Sequence, residues 1–558
     1  MKYNKKMESE VKVTKTFEGG VGFSQKPEIE LIGILSTGIS NSFYEKENER
    51  VKRFETVLTT VASKNLEFAA KALVYARTIF GQRTVTHIGA VNMIPFLSGK
   101  ELGKRFFSKR DRKENFGGII FRLDDMLEIL ACYQAKNGVE AAIPNSIKKG
   151  FKEAIEKSDS YTLAKYQAKG HNISLVDIVN LVHPVETKMQ GTVGVTETDF
   201  LKAVKGTKFE NKDSMYKLPP PDDKGYVQIP TLKALVLGLL KQFNTVENKN
   251  TEAGKVVAAK VKSGEITAEQ ATVELNEAKT ENFAELIKTK KIGYLALLRN
   301  LRNILKTSDK ELLTLSCELL IEPSFIKKSL VFPYQIDLAL EILMSEFKNS
   351  DASQVFNALN KAYELSIPNL KELFPYGKTA CVVDVSGSMS TKITLADSKR
   401  SLAGALDKAA LIGATVAKGL DADVYVFASS CSFVNVNTLD SINTIKNQIA
   451  RGPGVGGGTS FNSIFPELEK HSQQYDRVWI FSDEQSADEI ERTYKNYCNK
   501  FGTPHVYVVN LCGYGPTVIK ANTKVHRIFG YHAGIFETAK QTEINPEAII
   551  QEIEKIVI

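Results

Sequence analysis

The sequence predicts a chain of two unlike halves, a long array of paired helices followed by a doubly wound α/β domain. Three observations carry this. From Asn48 to about residue 370, apolar residues recur at intervals of three and four with hardly a strand signal among them. After Pro375, short runs rich in Val and Ile alternate with helical stretches, the pattern of a parallel sheet. At 558 residues, the chain exceeds what one hydrophobic core supports, roughly 250 to 300 residues.

Residues 1–25 are polar and contain glycines, which predicts a flexible arm. The helical array then spans 26–370. Val51, Phe54, Val57, Leu58 and Val61 mark one apolar face, and Leu66, Ala69, Ala70, Leu73 and Val74 the next. Further helical stretches are Ile119 to Tyr133, Ile147 to Ile155, Leu175 to Val182, Leu232 to Phe243, Phe283 to Leu305, Leu312 to Leu320 and Ile336 to Phe347. Paired helices over this length predict an α-solenoid in which each pair buries its apolar face on its neighbours. No fixed-period motif is visible, so the repeats are degenerate, as in HEAT-like arrays. About 245–280 the chain is polar and rich in Ala, Glu and Lys, an insertion that reads either as a helical hairpin or, more plainly, as a solvated excursion. Pro368, Pro375 and Gly377 mark the junction to an α/β domain over 376–558. Its strands are expected at Thr379 to Val383, Asp423 to Ala428, Asp476 to Phe481, His505 to Leu511 and Val525 to Phe529, with a long Ala-rich helix over Ala403 to Leu420. A last amphipathic helix is expected over Pro546 to Val557.

The hydrophobic fraction of 43% and charged fraction of 25% are those of a globular protein. No apolar run approaches the roughly 20 residues that span a bilayer. The N-terminal lysines lead into Glu8 and Glu10 rather than an apolar signal core, so a cytoplasmic location is expected. Six scattered cysteines without a CxxC pair argue against zinc or a disulfide framework. The net charge is +8, and from Tyr376 onward 18 Lys and Arg face 19 Asp and Glu, so the basic excess belongs to the helical part. Such an asymmetry suits an anionic partner.

The strand Thr379 to Val383 runs into Asp384-Val385-Ser386-Gly387-Ser388. Alternate residues of an extended segment point the same way, so one carboxylate and two hydroxyls converge. Gly456-Gly457-Gly458-Thr459 adds another hydroxyl, and the strand Val478 to Phe481 leads to a second acid, Asp483. In a doubly wound sheet the C-terminal strand ends share one edge, where ligands bind. An all-oxygen set of this kind suits a hard cation. Asp384 and the serines as helix caps are the plainer alternative. A P-loop is excluded because no lysine follows the glycines between Gly452 and Ser460. No Ser/His/Asp set or hydrolytic carboxylate pair is apparent, so no enzymatic activity is expected.

This DxSxS, Thr, Asp arrangement resembles the metal-ion-dependent adhesion site of von Willebrand factor A domains. The resemblance implies Mg²⁺ or another divalent cation held by Asp384, Ser386, Ser388, Thr459 and Asp483, with an acidic residue of a protein partner in the open position. Before residue 370, Ala296-Leu297-Leu298-Arg299-Asn300-Leu301, Val331-Phe332-Pro333-Tyr334-Gln335-Ile336-Asp337, and Leu163-Ala164-Lys165-Tyr166 with Leu181-Val182-His183-Pro184 are similar to the TROVE domain of the Ro ribonucleoprotein autoantigen family. Together the two resemblances span nearly the whole chain. They imply a closed ring of HEAT-like repeats completed by a von Willebrand A domain. The family binds small structured noncoding RNA of the Y RNA type on a basic outer surface and takes single-stranded RNA ends into its hole. It implies Lys165, Lys169 and His183 as RNA contacts.

Elementary chemistry agrees with that reading. Lysines neutralise phosphates with little sequence preference, and a histidine or aromatic ring stacks on an unpaired base. Lys148, Lys149, Lys165 and Lys169 supply charge on helical stretches, and His171 lies beside them in the sequence. His183 before Pro184 can equally end a helix by hydrogen bonding. The cluster Lys104-Arg105-Phe106-Phe107-Ser108-Lys109-Arg110 is either a second contact or a loop around two core phenylalanines. Arg299 lies in an apolar helix and is expected to form a structural salt bridge. The function expected is a non-catalytic RNA-binding protein of a small ribonucleoprotein, acting in RNA surveillance or scaffolding and handing RNA to a nuclease. The alternative is a metal-dependent protein scaffold capturing an acidic partner residue.

Overall fold

The structure is a computed structural model. It describes all residues except 1–11, 40–41, 112, 167–172, 190, 206, 208–219, 224, 243–255, 291, 308, 330, 332, 348–349, 368, 391, 395–400, 472–473, 521 and 533. By compactness the chain divides into two units, one of 1–61 with 287–555 and one of 62–286 with 556–558. The composition change near residue 376 separates helices from sheet, whereas the helices after residue 287 group with the sheet in the first unit.

The first unit is built on a six-stranded sheet of β5 (Thr379–Asp384), β8 (Asp423–Phe427), β9 (Cys431–Val434), β10 (Arg477–Ser482), β11 (His505–Asn510) and β12 (Val525–Phe529). Strands β1 (Val13–Lys15), β2 (Val21–Phe23), β3 (Thr192–Thr196), β4 (Tyr226–Pro230), β6 (Lys392–Thr394) and β7 (Ser401–Gly404) form three separate two-stranded pairs. The large sheet has the order β12-β11-β10-β5-β8-β9 and is parallel except for β9. This is the doubly wound arrangement, and its order reverses between β5 and β10, the place where such sheets bind ligands. Both strands are buried along nearly their whole length, which is why they read as unbroken apolar runs. The helix Ala405–Leu420 lies on one face of β5, and Gly413 is needed there because a Cβ would stand 2.8 Å from Val383 Cγ2. The other face carries Phe461, Ile464, Phe465 and Tyr497.

Helices Tyr294–Thr307, Lys310–Leu320, Pro333–Glu346 and Ser350–Ser366 belong to the same unit. Lys446 on Ile442–Ala450 donates to Asp337 on Pro333–Glu346 at 2.8 Å, and the Tyr363 and Thr415 hydroxyls meet at 2.8 Å. Arg299 is exposed and makes no ion pair among the described residues, while Arg302 on the same helix pairs with Glu346 at 2.6 Å. The expected salt bridge thus falls one turn along, because position 299 points to solvent.

The second unit contains helices Leu66–Thr78, Thr84–Asn92, Asp124–Asn137, Asn145–Glu156 and Leu175–Val182. Its polar centre is Asp125, fully buried. Asp125 accepts from Arg77 at 2.8 Å and His87 at 3.0 Å, and from the backbone N–H groups of Phe121 and Arg122.

Several expectations are corrected. From Lys12 on, the arm read as flexible is a β hairpin, β1 paired with β2. The β3–β4 pair lies within the helical array, between the expected stretches Leu175 to Val182 and Leu232 to Phe243, where no strand is expected from the sequence. The stretch Phe283 to Leu305 is two helices, because Lys290 takes a left-handed backbone between Ala268–Lys288 and Tyr294–Thr307. The expected terminal helix is shorter, Ala548–Glu554, and a further helix, Ile535–Ile544, precedes it. The inserted excursion does hold helix at 256–263, with its first residues outside those described.

Candidate functional site

All five side chains read from the DxSxS, Thr, Asp pattern come to the C-terminal edge of β5 and β10. Asp384 ends β5, and its Oδ1 accepts from the Ser386 N–H at 2.9 Å while its Oδ2 accepts from the Ser482 hydroxyl. The Ser386 and Ser388 hydroxyls stand 3.2 Å apart. The glycine loop is held against this turn by Gly387 N–H donating to Gly457 O at 3.0 Å. Gly456 has φ +91°, and a Cβ there would collide with Ser429, so the loop that delivers Thr459 requires glycine.

Asp483 follows β10. Its Oδ1 accepts from the Gln485 N–H at 3.1 Å, and its Oδ2, fully buried, has no hydrogen-bond partner among the described residues. The next residue, Glu484, is held at φ 58° by Arg527 Nε at 2.9 Å, Asn510 Nδ2 at 2.8 Å and the Thr517 hydroxyl at 2.8 Å. That buried network fixes the turn that aims Asp483.

Burial pushes the Asp384 carboxyl up to about 6. Asp483 is pushed well above the ordinary carboxylate range by burial and then by the charge of Asp384. Neither acid forms an ion pair with Lys, Arg or His among the described residues, so their charges are uncompensated by protein. Three hydroxyls and two carboxylates, with one buried oxygen unused, fit a hard divalent cation. Adjacent oxygens of a Mg²⁺ octahedron with bonds of about 2.1 Å stand about 3 Å apart, close to the serine spacing. Among the described residues no three His, Cys, Asp or Glu form a cage of their own. Any cation here would depend on the hydroxyls. The sequence pattern did not reveal Ser482, which orients Asp384, although it directly precedes Asp483.

The basic residues are placed differently. Lys148 is half-buried and Lys149 exposed on Asn145–Glu156. Lys165 ends the helix Ser160–Lys165, its side chain outside those described, and Lys169 and His171 lie outside the described residues altogether. His183 is exposed and caps Leu175–Val182 in a left-handed conformation, φ 47°, its N–H donating to Val179 O at 2.9 Å. The Lys104 to Arg110 cluster is largely structural. Phe106 and Phe107 are fully buried, and the buried Arg110 donates to Val557 O at 2.9 Å and to the Asn115 side chain at 2.7 Å.

A family model for the TROVE domain matches residues 25–400. The chain belongs to the TROVE family. That membership makes RNA the expected class of ligand. Among solved structures, the crystal structure of the Deinococcus radiodurans Ro (RSR) protein is similar at 15% identity, over 93% of this TROVE chain and 100% of that one, with a TM-score of 0.47. No curated protein matches. Among the described residues, no helix of this TROVE protein is long and apolar enough to cross a membrane.

Proposed function

We propose that this TROVE protein is a non-catalytic RNA-binding component of a small ribonucleoprotein. It binds a structured noncoding RNA of the Y RNA type through lysines of its helical part and receives single-stranded RNA ends, in RNA surveillance or scaffolding. The observation that carries this reading is the family match over 25–400. The exposed Lys149 and His183 and the basic excess before Tyr376 support it, since phosphate neutralisation needs accessible cations. Sequencing of RNA retained by the purified protein tests it. A discrete structured RNA is expected, and protein that retains none and binds no added RNA contradicts it.

The sheet edge has a separate role in this proposal. Mg²⁺ or another divalent cation would be held by Asp384, Ser386, Ser388, Thr459 and Asp483, and would supply a Lewis-acidic position for a carboxylate. The orphaned Asp483 oxygen favours this role over helix capping. A second reading, a scaffold that captures an acidic residue of a protein partner without RNA, draws on the same edge. RNA binding that weakens steeply with salt separates the two.

A further inference from the structure

The β1–β2 hairpin lies against the Asp384 edge and brings a third carboxylate to it. In its turn, Thr16 N–H donates to Gly20 O at 3.0 Å, and Gly19 takes φ 89°. The Thr16 hydroxyl donates to Ser486 O at 2.6 Å, Phe17 N–H to Gln485 Oε1 at 2.8 Å, and Gly20 N–H to Ser486 O at 3.1 Å. A Cβ on Gly20 would stand 2.3 Å from Ser486 O, so the turn sits directly on the loop that follows Asp483. Phe23 exchanges two backbone hydrogen bonds with Thr517, at 2.8 and 3.0 Å. The Phe17 ring stacks on Tyr44 at 5.2 Å and meets Tyr514 edge-on at 5.4 Å.

At the tip, Glu18 Oε1 accepts from the Thr459 hydroxyl at 3.2 Å and from the Tyr44 hydroxyl at 2.7 Å. Glu18 forms no ion pair among the described residues. Glu18 therefore reaches the edge through Thr459 and adds its charge to those of Asp384 and Asp483, while no three acids among the described residues form a cage by themselves. The 3.2 Å between Glu18 Oε1 and Thr459 Oγ1 equals that between the Ser386 and Ser388 hydroxyls, close to the roughly 3 Å between adjacent ligands of an octahedral Mg²⁺. A hairpin of two three-residue strands is marginal alone, so its order depends on what it docks to.

We propose that Glu18 is the chain's own ligand for the open coordination position of this metal centre, so that a bound divalent cation pins the N-terminal hairpin and closes the position to outside carboxylates. The proposal rests on the reading of the Asp384 edge as a divalent-cation site. An acidic partner would then gain the metal only when the hairpin lifts away.

The test uses the full chain and Mn²⁺ alone, with affinity followed by electron paramagnetic resonance and hairpin order by amide hydrogen exchange. Wild type should bind Mn²⁺ and gain protection over 13–23 on binding. E18Q should bind Mn²⁺ about tenfold more weakly or worse, with no metal-linked protection. In E18A, added acetate should restore Mn²⁺ affinity, with no such gain in wild type. Equal affinity in wild type and E18Q, with exchange over 13–23 indifferent to Mn²⁺, overturns the role of Glu18 while leaving the metal centre intact. Wild type that binds Mn²⁺ no better than D384A sinks the metal centre itself, and the Glu18 proposal with it.

Discussion

At the Asp384 edge, polar side chains from three loops are buried together, and two carboxylates face each other without a protein cation. Around Asp125, a carboxylate is just as buried but receives Arg77, His87 and two backbone N–H groups. Burial alone would raise its proton affinity, yet Arg77 and His87 hold Asp125 well below the ordinary carboxylate range. The two sites answer the same cost of burying charge in opposite ways. A fully compensated carboxylate is architecture, whereas an uncompensated pair leaves room for an outside charge.

The largest effect that can break this contrast is at the metal. Asp384→Ala should reduce Mg²⁺ affinity by at least about a hundredfold, read by calorimetry, because it removes a carboxylate and the acceptor that orders Ser386 and Ser482. RNA affinity should stay within about twofold, and a parallel loss in a folded variant would merge two roles kept separate here. Next is Asp125→Ala, which strands a buried guanidinium and should cost about 3–5 kcal/mol in denaturant unfolding. A cost near zero would mean that the Asp125 cluster is not structural.

A smaller effect sharpens the contrast through pH. The Asp384 carboxyl, at about 6 when folded, lies above the roughly 3.9 of an unfolded chain. The folded state therefore holds its proton more tightly, and metal-free stability should fall as pH rises from about 4 to 6. Thermal melts in chelator check this, and added Mg²⁺ should reverse the loss above pH 6. The smallest effect is at the surface. Lys148→Ala with Lys149→Ala should weaken RNA binding roughly threefold per lysine and lower the salt slope by about 0.7 to 0.9 each.

Much of the sheet edge was legible because topology brings strand ends together whatever the intervening loops do. The DxSxS spacing, Thr459 and Asp483 all met where the strand order reverses. Glu18 was not legible. It lies 441 residues from Thr459, in a turn between strands too short to show a pattern. The β3–β4 pair escaped for a similar reason, being two five-residue strands set among helical periodicity. Phe106 and Phe107 show the converse, since a basic and aromatic run in sequence proved to be core with arginines tied to backbone carbonyls. Exposed lysines carry the least information, because surface charge gives affinity for phosphate without naming the ligand.

The proposed RNA binding of the helical part works by phosphate neutralisation and is independent of the metal edge. The direct measurement is the affinity of the full-length protein for a structured RNA with single-stranded ends across a salt series, in Mg²⁺ and in chelator. The account predicts that log K falls linearly and steeply with log salt, and that Asp384→Ala gives the same line. No RNA binding even at low salt would contradict it and leave the metal-dependent scaffold as the reading of this protein.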